Sequence, residues 1–284
     1  MSRTIAVAGA SGALGRRVVA RLRDDGWRVR ALTRDPARAP RGVEVVAGDG
    51  RDPAVAAALV RGVDAVFSCA GASVAMARGH GWRGYRAVDT RLNAALVAAA
   101  TATGRPRFVY VSAFHTPAMR RLAYVDAHER VVDAIVAAAL PHAIVRPTGF
   151  YSAIVPAYLD LARRGAVPEI GDGRARTNPI GDDDLAAVCA EAIAHADPRL
   201  AIAAGGPDVL PRRAFVELAA AALGRPARTR AVPPWLARAG ATVLRPLHPR
   251  VGQFAQFLAT IATTDLIAPA RGAARLADAF AAAA

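Results

Sequence analysis

Short apolar runs alternate with amphipathic segments along the first two hundred residues of the chain. The runs are rich in β-branched residues, which is typical of buried strands, and they occupy residues 4–9, 27–33, 43–47, 65–71, 107–112 and 143–147. Helical periodicity between the runs predicts helices beginning after residue 15 and covering about residues 52–59, 85–103 and 121–140. Near-continuous apolar strands separated by helices indicate an α/β fold with a doubly wound parallel sheet, covered on both faces.

The first strand ends in a glycine-rich turn that leads directly into the first helix. Glycine is needed where φ is positive or where backbone approaches a ligand closely, and a helix N-terminus offers free N–H groups to an anion. A second strand follows about one helix later, which completes a β-α-β unit. The pattern predicts a dinucleotide pyrophosphate in the turn of a Rossmann-type fold. The predicted contact residues are Gly9, Ser11, Gly12, Ala13, Leu14 and Gly15.

The end of the second strand indicates which dinucleotide binds. Sites for NAD usually carry an acidic residue there, which holds the ribose 2′-hydroxyl, whereas this strand ends in Thr33 and Arg34. A guanidinium pairs with a 2′-phosphate, and a threonine hydroxyl donates to it. Such charge-assisted bonds contribute roughly 1.5–3 kcal/mol each. We predict NADP(H), the alternative being that Arg34 is one more surface arginine.

The next two strand ends supply further cofactor candidates. Asp49 follows the third strand and either reaches the adenine or simply forms the turn before Gly50. Cys69, Ala70 and Gly71 follow the fourth strand. Because the carboxyl ends of parallel strands meet at one edge of the sheet, we predict that these residues line the cofactor.

The second half of the chain is mainly helical. Its periodicity predicts a loop at residues 165–173, a late strand at residues 200–204, and helices at residues 154–161, 211–223, 235–244 and 251–261. Aspartates at residues 182–184 predict a helix N-cap. We predict an NADP-binding core over residues 1–150, to which the late strand returns, and a substrate-binding region over residues 151–284. The aromatic candidates for the substrate pocket are Phe150, Tyr151 and Trp235.

The charge balance is strongly basic without indicating a nucleic-acid partner. The formal net charge is +14, and all 37 basic residues are arginine. These arginines are scattered rather than clustered between aromatic residues, so we expect attraction of a polyanionic cofactor but no specific nucleic-acid binding. The second half of the chain shows no group of charged residues that would come together around a substrate, and this favours a small apolar substrate over a sugar nucleotide.

The remaining composition narrows the class of protein. Cys69 and Cys189 offer neither a metal-ligand spacing nor a disulfide framework, and we expect no metal. No apolar run is long enough for a membrane span, and the first strand leaves no room for a signal peptide. We therefore expect a cytoplasmic protein, with a homodimer left open.

Several motifs together resemble those of the atypical short-chain dehydrogenase/reductases, and the NmrA-like branch fits best. The resemblance is carried by the Gly-Ala-Ser-Gly-Ala-Leu-Gly turn, the Val-Ser end of the fifth strand, and Tyr124, His128 and Glu129 on one helix. Residues 144–151 and 178–185 also match stretches typical of this branch. The resemblance covers about the first 200 residues and implies a Rossmann-type fold that binds NAD(P).

The resemblance also implies a catalytic set. Conventional members carry a serine after the fifth strand, a tyrosine about twelve residues later and a lysine four residues beyond it. The tyrosine protonates the substrate carbonyl as hydride arrives, and the serine holds that oxygen. Ser112 and Tyr124 have this spacing, but His128 stands in place of the lysine on the same helix face. An imidazole, with an unperturbed pKa near ~6.5, supports a tyrosinate less than an ammonium does but still hydrogen-bonds the nicotinamide ribose.

Two interpretations of this set are open. Either Tyr124 remains the acid with His128 orienting the ribose, or the substrate needs little acid assistance. His115 lies near the same strand end and is a further candidate proton donor in the pocket. We predict an NADPH-dependent oxidoreductase that reduces a small apolar carbonyl, enone or quinone. The alternatives are a non-catalytic NADP(H)-binding redox sensor and an NADP-dependent isomerase or epimerase.

Overall fold

A parallel sheet occupies the centre of the molecule, as the alternation predicts. The computed structural model describes residues 3–71 and 84–284. The strands of these residues are β1 (Thr4–Ala8), β2 (Arg28–Thr33), β3 (Glu44–Ala47), β4 (Ala65–Ser68), β5 (Arg107–Val111), β6 (His142–Pro147), β7 (Val167–Ile170), β8 (Arg176–Thr177), β9 (Arg199–Ala204), β10 (Leu210–Pro211) and β11 (Thr229–Val232). Their helices are α1 (Ala13–Asp24), α2 (Pro53–Val60), α3 (Arg91–Ala102), α4 (Ala123–Ala137), α5 (Tyr151–Arg163), α6 (Asp182–Ala194), α7 (Arg212–Ala222), α8 (Pro234–Leu247), α9 (Pro249–Ile261) and α10 (Leu276–Ala283).

Seven of the described strands form the central sheet, in the order β3-β2-β1-β4-β5-β6-β9. All neighbouring pairs are parallel, and the Rossmann-type α/β fold is confirmed. The chain moves outward from β1 to β3 and then crosses to β4 on the other side of β1. Ligands of doubly wound sheets bind at this reversal, beyond the carboxyl ends of the strands. The turns after β1 and β4 therefore border one crevice.

Helices cover both faces of the sheet and bury its apolar side chains. On one face, Val18 and Leu22 of α1 share a core with Leu185 of α6. On the other face, Leu96 of α3 and Ile135 of α4 share a second core with α2. Because full burial of such a side chain contributes about 1.5–3 kcal/mol, the helical spacing of these apolar residues fixes which face of each helix meets the sheet.

The chain beyond residue 150 contributes to more than one layer. Strand β9 pairs with β6 and α6 packs against α1, next to the first core. Helices α5, α7 and α10 enclose a separate core. Helices α8 and α9 pack against each other as a hairpin, and α9 also contacts α4. The division of the chain at residue 150 stays a prediction. In the described part of the chain, no helix is long and apolar enough to cross a membrane.

Three local predictions differ from the structure. The predicted loop at residues 165–173 contains β7, which pairs in parallel with β11, far along the chain and beyond the reach of a local pattern. Helix α10, in an alanine-rich stretch with weak periodicity, was not predicted. The N-cap of α6 is Gly181, and Asp182 accepts a hydrogen bond from the backbone N–H of Ser152 (2.8 Å) instead of capping the helix.

Candidate functional site

The glycine turn after β1 is built from backbone contacts that leave no room for side chains. A Cβ placed on Gly15 would lie 2.0 Å from the carbonyl oxygen of Gly9. Gly9 has a φ of +91°, and a Cβ there would lie 2.9 Å from the backbone nitrogen of Ala70. The Gly12 N–H donates to the Gly9 carbonyl (3.0 Å), which closes the turn. Two of the three motif glycines are therefore required by this geometry.

Helix α1 begins at this turn and points its N-terminus into the crevice. Its N-cap is Gly12, which supplies no side-chain hydrogen bond, and its first turn contains no acidic residue. The free N–H groups of this turn belong to residues around Ala13 and Leu14, and their partial positive charge favours an anion. A pyrophosphate is the kind of anion that such a glycine turn accommodates.

The segment after β4 forms the opposite wall of the turn. Cys69 is half-buried, its Sγ contacts Gly9, and burial raises the pKa of its thiol to about 12. Ser68 donates to the Asn93 carbonyl oxygen (2.6 Å), and the Asn93 amide donates to the Ala70 carbonyl (3.1 Å). Cys69 and Ala70 are thus backbone and packing elements of this wall. Asn93 holds it in place, a role that the sequence did not reveal because Asn93 lies 25 residues downstream on α3.

The loop after β2 contains three exposed arginines, Arg34, Arg38 and Arg41, whose side chains form no ion pair in the described chain, and Arg34 directly follows the strand. The Thr33 hydroxyl is bonded within the loop, donating to the Asp35 carbonyl (2.8 Å). The Asp35 carboxylate accepts from the Ala37 N–H (3.1 Å), so the acid next to Arg34 caps a short 3₁₀ turn. Arg34 is exposed and forms no hydrogen bond or ion pair with any residue that the structure describes. Its guanidinium is available to a ligand.

A second arginine links the glycine turn (residues 9–15) to the loop after β2, and we call these two segments together the nucleotide edge. Arg16 of α1 donates from Nε to the Ser11 carbonyl (3.1 Å) and from its terminal nitrogen to the Arg38 carbonyl (3.0 Å). It therefore ties the glycine turn to the loop after β2. Its position just after Gly15 is the sequence signal that could have identified it.

Asp49 forms a turn and an ion pair at the end of β3. Its carboxylate accepts from the Arg51 backbone N–H (3.0 Å) and from the Arg51 guanidinium. These hydrogen bonds lower the pKa of Asp49 to about 2. Asp49 and Arg51 line a shallow depression together with Arg91. The turn-forming interpretation accounts for the contacts seen, and a contact with adenine stays a prediction.

Ser112 belongs to a buried ion-pair network beyond β5. Its hydroxyl donates to Glu129 (2.9 Å), and Glu129 pairs with Arg146 at 2.9 Å. Burial alone would raise the pKa of Glu129, but the hydrogen bonds from Arg146 outweigh it and hold this pKa below its ordinary value. Ser112 is 5% exposed and its proton is committed to the carboxylate. Sequence reasoning gave neither Glu129 nor Arg146 this role.

His128 is bonded to a buried tyrosine. The hydroxyl of Tyr110, in β5, lies 2.8 Å from Nδ1 of His128. Burial raises the pKa of Tyr110 and lowers that of His128 to about 4, so both side chains are neutral near pH 7. The buried Tyr110 hydroxyl needs an acceptor, which assigns its proton to the bond with Nδ1. The proton of the imidazole then lies on Nε2, where it is a hydrogen-bond donor.

Tyr124 lies among aromatic rings rather than in a hydrogen-bond network. Its ring centroid is 5.0 Å from that of Tyr85, 4.9 Å from that of His128 and 4.4 Å from that of Phe257. Phe254 completes this group at 6.3 Å. The Tyr124 hydroxyl has no hydrogen-bond partner among residues 3–71 and 84–284. Burial raises the pKa of Tyr124, and the neighbouring Tyr85 and Asp89 raise it further.

The other pocket candidates occupy different places. His115 donates from Nδ1 to the Ala113 carbonyl (2.9 Å) and is close enough to influence the pKa values of His128 and Glu129. Tyr151 is 7% exposed and belongs to the core between α5, α7 and α10, and its hydroxyl donates to the Ala274 carbonyl (2.7 Å). Phe150 packs against the sheet core, and Trp235 is 68% exposed at the start of α8. The structure thus brings His115 near His128, but it does not bring Tyr151 or Trp235 into this group.

Comparison with known proteins identifies the family. A sequence model described as NAD(P)H-binding matches residues 9–196, from the first glycine of the turn to just beyond α6. The chain belongs to the NAD(P)H-binding family. The match contains the turn after β1 and the carboxyl ends of β2 through β6, and it confirms the family resemblance.

Individual relatives share parts of the chain or the fold. The chain is 36% identical to a ceramide reductase of Caulobacter vibrioides over 154 residues, which are 52% of this chain and 46% of that protein. The chain therefore spans about half the length of the curated relative that it matches. An Escherichia coli NADPH-dependent quinone oxidoreductase, solved with NADPH, has a TM-score of 0.72 at 18% identity, covering 98% of this chain and 99% of its own. A Thermotoga maritima UDP-glucose 4-epimerase has a TM-score of 0.68 at 18% identity, covering 81% of this chain and 85% of its own.

The residues present fit the dinucleotide of this family. Gly9 and Gly15 stand where a Cβ would collide with backbone, so that the turn remains narrow enough for its N–H groups to approach a phosphate. Arg16 and Arg34 supply positive charge at the adjoining loop. His128 is bonded through Nδ1 to Tyr110 of β5, which leaves its Nε2–H without a partner in the described chain.

Proposed function

We propose that this chain is an NADPH-dependent reductase of a small apolar acceptor, and that a quinone is the acceptor class it fits best. The observation that carries the proposal is the cluster of rings around Tyr124, in which the rings of Tyr85, His128, Phe254 and Phe257 each lie within 6.3 Å of the Tyr124 ring centroid. Flat aromatic surfaces favour a planar apolar acceptor, because aromatic rings stack on each other at such distances. A sugar nucleotide would need polar and charged partners instead.

The preference for NADPH over NADH rests on the loop after β2. Arg34 is exposed without an ion-pair partner in the described chain, while the neighbouring Asp35 is occupied as a cap. A 2′-phosphate would neutralise Arg34, and the Arg16 guanidinium lies across the same loop. A charge-assisted pair of this kind contributes roughly 1.5–3 kcal/mol. Thr33 contributes less than its sequence position suggests, since its hydroxyl already donates to Asp35.

The chemistry of the bound cofactor is hydride transfer from the nicotinamide. The protein would contribute binding and orientation: the α1 N-terminus and the glycine turn would hold the pyrophosphate, and His128 would donate from Nε2 to the ribose. The Tyr110 hydroxyl fixes this tautomer of His128 through their 2.8 Å hydrogen bond. Burial keeps the imidazole neutral, so His128 acts as an orienting donor and not as a second cation.

Proton supply separates a quinone from a simple ketone. Tyr124 has a raised pKa and no partner that stabilises its anion, while the Ser112 proton is committed to Glu129. Neither group is arranged to protonate an alkoxide. Reduction of a quinone leaves a phenolate-type oxygen instead, whose basicity resembles that of a tyrosine side chain with a pKa near ~10. Such an anion needs little acid assistance, and the Nε2 atom of His115 is without a hydrogen-bond partner in the described chain.

The comparisons support the proposal at the level of fold and class. The Escherichia coli enzyme with the same fold over nearly the full chain is an NADPH-dependent quinone oxidoreductase. The relative that the chain matches over part of its length is also a reductase. The epimerase shares the fold over a smaller part of this chain.

A titration of the purified protein with NADPH and NADH, followed by cofactor fluorescence, tests cofactor choice. We expect tighter binding of NADPH, and a loss of about ten-fold or more in NADPH affinity for Arg34→Ala with NADH affinity unchanged. Arg28→Ala is the matched control, since Arg28 is exposed at the amino end of the same strand. Equal affinity for both cofactors, unaffected by Arg34→Ala, would remove the NADPH preference.

A substrate panel then tests the reaction. We expect oxidation of NADPH in the presence of quinones, at rates above those with matched simple ketones. Tight binding of NADPH with no turnover of any quinone, enone or ketone would instead favour a redox-sensing regulator. The observation that favours this second candidate is that the sequence has no lysine and that the Tyr124 hydroxyl has no hydrogen-bond partner in the described chain.

A further inference from the structure

Helix α8 carries an apolar stripe that faces away from the rest of the protein. Leu236, Val243 and Leu247 are separated by seven and four residues, which places them on one face of the helix. They are 49%, 64% and 61% exposed. Helix α8 lies wholly within the described residues, and Ala241 is its one buried residue. We call Leu236, Val243 and Leu247 the α8 stripe.

The stretch of sequence that contains the α8 stripe is basic. Residues 218–264 contain no aspartate or glutamate, but they contain six arginines. The exposed members of this set are Arg225, Arg228, Arg230, Arg238 and Arg245. None of these five forms an ion pair in the described chain, whereas many arginines elsewhere do, as Arg17, Arg146 and Arg271 illustrate. Helix α8 therefore carries exposed apolar side chains together with two exposed arginines, Arg238 and Arg245, that form no ion pair in the described chain.

We propose that α8 lies on the surface of an anionic lipid bilayer, with the α8 stripe inserted at the boundary between headgroups and acyl chains. Helices that bind membrane surfaces combine an apolar face with arginine or lysine on the flanks. Trp235, exposed beside the stripe at the start of α8, is a residue type enriched at membrane interfaces. Anionic headgroups supply the negative charge that residues 218–264 lack.

Charge decides between the bilayer and a second copy of the chain. A symmetric contact through α8 would bring Arg238 and Arg245 of both copies together, with no carboxylate of residues 218–264 to compensate. Such like-charge contact is unfavourable. An anionic bilayer removes the stripe from water and neutralises the arginines at the same time. The same interaction requires no spanning helix, since α8 would lie in the plane of the interface.

The α8 stripe lies on the same helical hairpin that supplies part of the aromatic cluster around Tyr124. Helix α9 packs against α8 and also carries Phe254 and Phe257 to Tyr124. Docking through α8 would hold the aromatic side of the candidate site close to the bilayer, where apolar quinones dissolve. This consequence rests on the proposed function, whereas membrane binding itself does not.

Vesicle flotation of the full-length protein tests the proposal. The probes are vesicles of phosphatidylcholine alone and of phosphatidylcholine with about one third phosphatidylglycerol, at about 0.1 M salt. We expect the protein to float with the anionic vesicles and to show a blue shift of tryptophan emission that Trp235→Phe abolishes. The double variant Val243→Glu/Leu247→Glu should bind about ten-fold less well or worse. Val136→Glu is the matched control, since Val136 is 53% exposed on α4.

Two other outcomes would overturn the proposal. Absence of binding to the anionic vesicles, or binding that Val243→Glu/Leu247→Glu leaves unchanged, would show that the stripe does not insert. A dimer in analytical ultracentrifugation that the same double variant converts to monomer would show that a second copy covers the stripe. Circular dichroism and NADPH titration of the variants distinguish these results from misfolding, and they keep membrane binding separable from the proposed reductase function.

Discussion

The nucleotide edge and the cluster of rings around Tyr124, which we call the aromatic end, are built in opposite ways. At the nucleotide edge, the backbone of Gly9 through Gly15 makes the decisive contacts, within seven consecutive residues. At the aromatic end, Tyr124 meets Tyr85 from upstream and Phe254 and Phe257 from α9, more than one hundred residues downstream. The first region is specified locally, and the second exists only once the whole chain has folded.

This difference has a consequence for how each region tolerates change. Backbone contacts as short as those of Gly15 cannot be relieved by a rotamer change, because the colliding atom belongs to the main chain. Side chains around Tyr124 can repack around one altered member. Substitutions at the nucleotide edge should therefore have larger effects than substitutions at the aromatic end.

The largest effect is expected from Gly15→Ala. Its Cβ would lie 2.0 Å from the Gly9 carbonyl oxygen, so that the turn must open. Displacement of several phosphate donors, each contributing roughly 1.5–3 kcal/mol, should weaken NADPH binding by about 100-fold or more. Fluorescence titration measures this loss. Gly240→Ala is the control, because nothing lies within 4 Å of its added Cβ, and unchanged affinity in Gly15→Ala would contradict the backbone account.

The next largest effect concerns stability at the boundary of the two regions. Glu129→Ala would leave Arg146 without its 2.9 Å partner and Ser112 without its acceptor. We expect a loss of about 3 kcal/mol in the free energy of unfolding, measured by urea denaturation. Glu44→Ala, which removes the half-exposed partner of Arg30, should cost less than about 1 kcal/mol.

The same variant tests whether the regions are independent. If they are, folded Glu129→Ala should keep its NADPH affinity to within about three-fold, since its network lies at the end of β5 and not at the glycine turn. A loss as large as that of Gly15→Ala would show that the two ends of the crevice are coupled.

A smaller, pH-dependent effect comes from His128. Its pKa is lowered to about 4 by burial, against ~6.5 in an unfolded chain. Between these values the unfolded chain binds more protons, so stability rises with pH and is lost as pH falls from about 6.5 towards 4. His128→Asn keeps an acceptor for Tyr110 but does not titrate.

Urea denaturation over this pH range should show the wild type losing about 1–3 kcal/mol relative to His128→Asn. His195→Asn, on the exposed C-terminal side of α6, should follow the wild type. Parallel curves for wild type and His128→Asn would place the imidazole in contact with water and remove its assignment as a neutral donor.

The extent of sequence-based prediction follows the same division. The six strands, the glycine turn and the family resemblance were predictable because each depends on residues close together in the sequence. Asn93, Glu129 and Arg146 acquired their roles only from the structure, since their partners lie in other elements. The substrate-pocket candidates Phe150, Tyr151 and Trp235 stay predictions, and Phe254 and Phe257 meet Tyr124 because α9 folds back onto α4. Helical periodicity predicted a helix at residues 251–261 but did not reveal what that helix contacts.

The smallest effect is expected at the residue that the resemblance singles out most clearly. Tyr124→Phe removes a hydroxyl that has no hydrogen-bond partner in the described chain, and it keeps the ring between Tyr85 and Phe257. If Tyr124 serves as an aromatic wall, kcat for a quinone should fall by less than about three-fold, whereas general acid catalysis is worth about 100-fold or more. Tyr124→Ala should raise KM because it removes the ring as well. A loss of 100-fold in kcat for Tyr124→Phe would return the tyrosine to the role of acid, and the aromatic end would then be as intolerant of single changes as the glycine turn.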